Sequence, residues 1–362
     1  MSDKPLVSCI ITFLNAEEFV REAIESVLGQ THENLELLLV DDGSTDDSTP
    51  IALRYAERFP EKVRYLEHAG HENRGAAASR NLGMGEAKGE YIALLDSDDV
   101  WLEHKLEEQV GILALHPEAG MVYGQSQYWH SWTRKPEDAH RDQVPKLGVQ
   151  FDTLFEPPTL STLVYPLGPA TAPCPSDLLL RREAVERVGG FEEAFRGMYQ
   201  LYDDQTFLAK VYLNEPVFVA GKCWDRYRQH PEQCVSVVHE AGEQHTVRLA
   251  FLQWLAEYFY AQGVGDPELW KLLQEKQLQT TDRLQIRQSR EDSKRLRSRN
   301  ARIEELESSL TGLRRRTRRL RKRNRVLMQE VHKLNQELGR MRGSLVWKLA
   351  LGLGRIRARL SR

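Results

Sequence analysis

The sequence predicts an α/β protein: a doubly wound, mostly parallel sheet, followed by helices and a C-terminal coiled coil. Three observations carry this. Short, nearly continuous apolar runs ("LVSCIIT", "LELLLV", "YIALLD") alternate with stretches of helical spacing before residue 100, and such alternation winds a parallel sheet covered on both faces. An apolar heptad runs from Ile303 to Met341. Charge divides the chain as well: residues 314–362 hold 17 Lys and Arg against Glu330 and Glu337, so the formal net charge of −3 splits into +15 there and −18 over residues 1–313. Two parts with different partners are implied.

A chain of 362 residues with 41% apolar content suggests about two domains with a real core. The four cysteines, Cys9, Cys174, Cys223 and Cys234, lack C-x-x-C spacing, which predicts reduced thiols in a cytosolic protein, with neither a disulfide framework nor a zinc site. "MSDKPLVSC" lacks the basic and apolar regions of a secretion signal, and no window approaches 18 uninterrupted apolar residues, so no membrane span is expected.

Taken in order, "LVSCIIT" is the first strand, and "NAEEFVREAIESVLGQ" has helical spacing after a capping Asn15. "LELLLV" follows as a strand, "STDDSTPIALRYAERF" as a helix capped by Ser44, and "VRYLEH" as a short strand. In "ENRGAAASRN", Arg74 and Arg80 flank a Gly-Ala-rich stretch able to approach a phosphate closely. "GMGEAKG" imitates a dinucleotide fingerprint, but Lys88 stands where the third glycine belongs and the glycines follow a helix. Their expected work is to end that helix and turn into the strand "YIALLD".

Ligands bind such sheets beyond the carboxyl ends of the strands. That rule gathers Thr12 and Asn15, Asp41 and Asp42, and Asp96, Asp98 and Asp99 on one rim. Turn and cap chemistry accounts for one or two of the acids in "LLDSDDVW". Three acids within four residues repel one another unless a cation sits among them, and a divalent ion held by oxygens answers that need.

"VSCIITFLN", "LLLVDDGSTDDS", "NRGAAASRNLG", "GEYIALLDSDD" and "VGGFEEAF" followed by "DDQTFL" occur in that order, and over residues 5–235 the chain resembles glycosyltransferase family 2, with its GT-A fold. The resemblance implies that Asp96, Asp98 and Asp99 hold Mn²⁺ or Mg²⁺ against the diphosphate of a nucleotide-sugar donor. It also implies that Asp42, with Thr12 and Asn15 alongside, reads the nucleotide base. Asp41 is expected to cap the turn "DGSTDD". Leu14 stands where the family often has an aromatic residue near the base, so the base stays open. Asp203 and Asp204 match the family's acidic pair, and Asp204 would be the general base of an inverting transfer; alone, two acids at a helix start would read as a response to the macrodipole. Arg228 and His230 in "YRQHPEQCVS" would reach the diphosphate. Trp129 and Trp132 serve either as sugar platforms or as the packing of a Pro-rich loop.

Residues 241–275, with the amphipathic "VRLAFLQWLAEYFY", read as helices laid on the catalytic domain. With Ile303, Leu310, Thr317, Asn324, Val331 and Leu338 at a, the d positions are Leu306, Leu313, Leu320, Leu327, Leu334 and Met341. Leu at d with Asn324 at a predicts a parallel two-stranded coil and hence a homodimer. "RRRTRRLRKRNR" lies within the zipper rather than ahead of it as in basic zipper factors, so nucleic acid is not an expected partner; anionic lipid or an anionic glycan carrier is. "GSLVWKLALGLGRIRARLSR" sets Leu345, Leu349, Leu353, Ile356 and Leu360 on one face among basic residues, the composition of an interfacial helix.

The expected organisation is therefore a GT-A domain over residues 1–240, a helical extension over 241–275, a coiled coil over 276–342 and a basic amphipathic tail over 343–362. The expected function is metal-dependent, inverting sugar transfer to a glycan or lipid-linked glycan acceptor in bacterial surface-polysaccharide synthesis, at the cytoplasmic face of the membrane. The alternatives are a nucleotidyltransferase and a non-catalytic scaffold on a coiled coil.

Overall fold

The structure, a computed structural model, describes residues 4–343, 346 and 348–353. The chain begins with β1 (Val7–Phe13), α1 (Val20–Leu28), β2 (Leu35–Asp41), α2 (Ser48–Arg58), β3 (Val63–Glu67), α3 (Ala76–Glu86) and β4 (Tyr91–Asp96). It continues through β5 (Val100–Trp101), α4 (Lys105–Leu115), β6 (Met121–Trp129), α5 (Pro136–Ala139), β7 (Thr153–Phe155), α6 (Thr159–Leu163), β8 (Leu179–Arg181) and α7 (Arg182–Val188). The remaining elements are α8 (Asp203–Asn214), β9 (Val217–Arg228), α9 (Cys234–Glu240), α10 (Gln244–Ala261) and α11 (Pro267–Gly343). The chain divides by its contacts into a compact unit ending at Gln285 and a second from Ile286 onward.

The first unit is an α/β layer structure on one sheet ordered β3-β2-β1-β4-β8-β6-β9-β5, with β7 paired to β9. β1, β2, β3 and β4 run parallel, as does the β6·β9 pair, whereas β8 joins β4 and β6 antiparallel and β5 and β7 join β9 antiparallel. The apolar runs are continuous because side chains alternate between two cores. Cys9, Ile11, Leu37, Leu39, Ala93 and Leu95 face α1, α2 and α4, while Ile10, Leu38, Val40, Ile92 and Leu94 face α3, α7 and α8. Each strand position is dry on whichever side it points.

The parallel register levels the strand ends. Phe13 pairs with Asp41 and Thr12 with Asp96, so the last residues of β2 and β4 flank the end of β1 on one rim.

Three boundaries differ from expectation. Asn15 does not cap α1: it adopts φ 50°, its Oδ1 accepts the Thr45 amide at 2.8 Å, and the helix starts only at Val20. Ser44 does not cap α2, which begins at Ser48; its hydroxyl instead accepts the Asn15 amide at 3.1 Å. Both residues tie one rim loop to the next. Gly83 and Gly85 do not end α3, which runs on to Glu86. A Cβ at Gly83 would lie 2.6 Å from Ile10 Cγ2 and 3.2 Å from Val40 Cγ2, so this glycine lets the helix approach the sheet. The turn falls at Gly89, where a Cβ would meet Ser8 N at 2.6 Å.

α10 buries Val247, Phe251, Leu252, Leu255 and Phe259 in a third core with Phe195, Tyr202 and Leu167, as its amphipathic spacing predicts. Phe251 stacks on Tyr202 with centroids 5.0 Å apart. Burying each such side chain is worth about 1.5–3 kcal/mol, and Tyr202 immediately precedes α8. In the second unit α11 carries the heptad residues from Ile303 to Met341, whose ten apolar members are between 46% and 60% exposed. Among the described residues no helix is long and apolar enough to cross a membrane. Leu345, Trp347, Ile356 and Leu360 of the expected interfacial helix lie outside the described residues.

Candidate active site

A cleft of about 1020 Å³ opens at the rim, lined by Thr12, Asn15, Asp42, Arg80, Asp96, Asp98, Asp203, Asp204 and His230 among others. The structure thus brings together nine of the residues that the sequence nominates. It also shows different work for several of them.

Asp42 follows β2 and is buried, its Oδ1 accepting the amides of Arg74 at 2.8 Å and Gly75 at 3.0 Å and the Ser79 hydroxyl at 3.1 Å. Gly75, at φ 91°, takes a backbone conformation that L side chains rarely adopt. The carboxylate therefore holds the loop before α3 against the rim while one edge of it lines the cleft. Asp41 points away and caps its own turn, accepting the Ser44 amide at 2.8 Å and the Thr49 hydroxyl at 2.5 Å.

Arg80, on α3, is buried and bonds Asp203 Oδ2 at 2.8 Å and Asp96 Oδ1 at 2.7 Å. Burial opposes its charge, but Asp203 and Asp96 outweigh that and hold it protonated. Its guanidinium is thus committed to carboxylates and links the end of β4 to the start of α8, rather than standing free for a phosphate. Arg74 is not at the cleft: its side chain is 56% exposed and lies 3.8 Å from Glu193.

At the start of α8 burial pushes the Asp203 carboxyl up to about 6, with Arg80 pulling down and Asp96 pushing up. Burial and then the Asp203 charge push Asp204 up to about 7. Asp204 is partly exposed on the cleft wall, its Oδ1 accepting the Gln205 amide at 2.6 Å. These two carboxyls interact closely and titrate as a pair.

Asp98 and His230 meet at the cleft, with His230 Nε2 3.0 Å from Asp98 Oδ2. Asp99 faces the other way. It is wholly buried, accepting the Ser176 hydroxyl at 2.5 Å and the Arg228 amide at 2.9 Å. Of the three acids in "DSDD", two therefore reach the cleft and one anchors the turn behind it. Arg228 is not a cleft residue either: Nε donates to the Asp98 carbonyl at 2.6 Å and Nη2 to Glu22 at 2.5 Å, with Phe19, Trp129 and Trp132 around the guanidinium, 4.4 Å from the Trp129 centroid. Trp132 Nε1 donates to the Gln229 carbonyl at 3.0 Å. The two tryptophans pack this arginine and stay half-buried.

Sequence reasoning passed over Arg196, which lines the cleft near Gly75, and the segment Pro173–Pro175, which forms another wall. A lone arginine in "FRGMYQ" carries no motif signal. "APCPSD" reads as loop because its partners, Asp99 and Asp225, are distant in sequence.

Residues 8–189 match the family model described as glycosyl transferase family 2. The chain belongs to glycosyltransferase family 2. An uncharacterised glycosyltransferase of Nostoc sp. is 33% identical over 183 residues, covering 50% of this chain and 52% of that protein. The putative teichuronic acid biosynthesis glycosyltransferase TuaG of Bacillus subtilis is 44% identical over 109 residues, 30% of this chain and 41% of TuaG. The chain spans about half the length of these curated relatives, or less. Among solved structures, S. aureus TarS 1-349 superposes with a TM-score of 0.52 at 18% identity, covering 76% of this chain and 71% of that one, and so shares the fold. The family match ends before α8, so the assignment of Asp203, Asp204 and His230 rests on the cleft geometry and the order of motifs.

Proposed function

We propose that this family 2 chain is a metal-dependent, inverting glycosyltransferase, moving a sugar from a nucleotide-sugar to a glycan or lipid-linked glycan acceptor in polysaccharide synthesis. The observation that carries the reading is Asp204: a carboxyl pushed up to about 7 on the wall of the cleft that holds Asp96 and Asp98. A general base works best with a pKa near the operating pH. Arg80 bonds Asp96 on one side and Asp203 on the other, which sets the donor-side and acceptor-side carboxylates one guanidinium apart.

Asp42, Thr12 and Asn15 line the end of the cleft suited to the base and ribose. Asp98 and His230, with Asp96 beside them, offer oxygen and nitrogen donors that fit Mn²⁺ or Mg²⁺, whose bound charge would stabilise the departing nucleoside diphosphate. Asp204 takes the proton of the acceptor hydroxyl as that oxygen attacks the anomeric carbon. The diphosphate leaves from the opposite face, so the configuration inverts. TuaG's association with teichuronic acid supports a polysaccharide setting.

The apolar stripe on α11, half-exposed along its length, supports a parallel homodimer with Asn324 setting the register. The basic tail supports peripheral attachment to an anionic membrane at its cytoplasmic face. The test of the chemistry is product analysis by NMR with a panel of nucleotide-sugars. Nucleoside diphosphate together with an inverted anomeric centre supports the reading; pyrophosphate release or retention of configuration refutes it.

A further inference from the structure

Behind the cleft lies a second polar cluster that the proposed reaction does not use. Asp99, on the turn after β4, Cys174, before β8, and Asp225, on β9, each bring a ligand atom within 4.8 Å of the others. Asp99 and Asp225 are wholly buried, and Cys174 is partly buried and lines the cleft. Asp225 is the telling member. The Ser126 hydroxyl lies across the strand pair and eases its charge, yet neither carboxylate oxygen has a partner in hydrogen-bond geometry. A buried carboxyl without a partner is held toward its neutral form, Asp225 being pushed up to about 7, unless something positive meets it.

Charge balance leads to the same conclusion. Asp177 is also wholly buried, with Oδ1 unpartnered, and Lys105 is the buried cation beside Asp177 and Asp225. The Lys105 ammonium donates to Gln109 at 2.6 Å and lies 4.5 Å from the Trp101 centroid, and it forms no close ion pair with either acid. Burial pushes all three carboxyls up, so they hold protons where no cation meets them, and a divalent ion beside the one ammonium would let them ionise.

We propose that Asp99, Cys174 and Asp225 form a structural site for a divalent cation with thiolate affinity, zinc in the first instance, separate from the Asp98–His230 pair in the cleft. Thiolate and carboxylate together suit Zn²⁺, and three protein ligands leave one position of a tetrahedron for water on the side where Cys174 meets the cleft. Binding releases to solvent the Cys174 proton and those held by the Asp99 and Asp225 carboxyls. The ion would tie the turn bearing Asp98 to the strand leading to Arg228 and His230, and so fix the cleft from behind.

Cobalt substitution tests this, because a thiolate–Co²⁺ charge-transfer band in the near ultraviolet reports sulfur ligation and the cleft pair has no sulfur. The purified full chain, stripped with chelator and reloaded with Co²⁺, should show the band. Cys174→Ser and Asp225→Asn should lose it together with one equivalent of bound metal, while Cys234→Ser and Asp98→Asn should keep it. Melting of the parent should fall on chelation, and that fall should be absent in Cys174→Ser. No charge-transfer band in the reloaded parent, or a band that survives in Cys174→Ser, overturns the site. Because the readout is metal ligation rather than turnover, its failure is distinct from failure of the proposed transfer reaction.

Discussion

Replacing Arg80 with Gln removes the one cation shared by Asp96 and Asp203 while keeping a polar side chain of similar length. Asp203 is buried, so its charge loses its counter-ion in a medium that cannot replace it. Asp96 keeps 29% of its side-chain surface and recovers part of its share from water. Breaking a buried pair costs about 3–5 kcal/mol, and the solvated half places the expected loss near the lower end, about 3 kcal/mol. The loss has a pH signature. Below about 6 Asp203 holds its proton in the parent and, with its carboxyl raised further, in the variant as well. The penalty should therefore grow as pH rises through 6, where the parent ionises and the variant resists. Urea denaturation of both proteins from pH 5 to pH 8 measures this, and a cycle with Asp203→Asn isolates the pair. A coupling of about 0.5–3 kcal/mol is expected. A loss under about 1 kcal/mol, or one independent of pH, refutes the claim that Arg80 is the buried counter-ion.

Further outcomes follow from the same structure. Gly83→Ala should cost about 1–3 kcal/mol by overpacking against Ile10 and Val40, read by denaturation, with Gly85→Ala as the open-space control. Asp98→Asn should abolish the Mn²⁺-dependent part of nucleoside diphosphate stabilisation; at 100 times Kd a bound ligand adds about 2.7 kcal/mol, readily seen in melting. Sedimentation of the full chain should show a dimer, and a chain ending at residue 285 should be a folded monomer.

Much of the fold is legible because period and burial agree. "LVSCIIT", "LELLLV" and "YIALLD" give three buried strands, and the rule for their carboxyl ends places Asp41, Asp42, Asp96 and Asp98 on one rim. Local signals misled where a side chain serves a distant partner. Asn15 and Ser44 look like helix caps but bridge two loops, and Gly83 looks like a stop but makes room for Ile10. The arginines show the same limit: sequence marks Arg80 and Arg228 as basic residues near a phosphate site, whereas only the fold reveals that carboxylates claim the first and that a carboxylate, a carbonyl and three aromatic rings enclose the second. The joining of Asp99, Cys174 and Asp225 from three distant segments carries no sequence signal at all.

Removal of the Asp204 carboxylate probes its proposed role as the base. Turnover of the nucleotide-sugar to nucleoside diphosphate is followed from pH 5 to pH 9 in the parent and in Asp204→Asn, with donor affinity measured alongside. The parent should lose activity as pH falls below about 7, because protonation of Asp204 removes the acceptor for the hydroxyl proton. The variant should bind donor as the parent does, lose that acid limb, and turn over roughly 10²- to 10⁴-fold more slowly. Activity within about threefold of the parent, or an unchanged acid limb, would rule Asp204 out as the base.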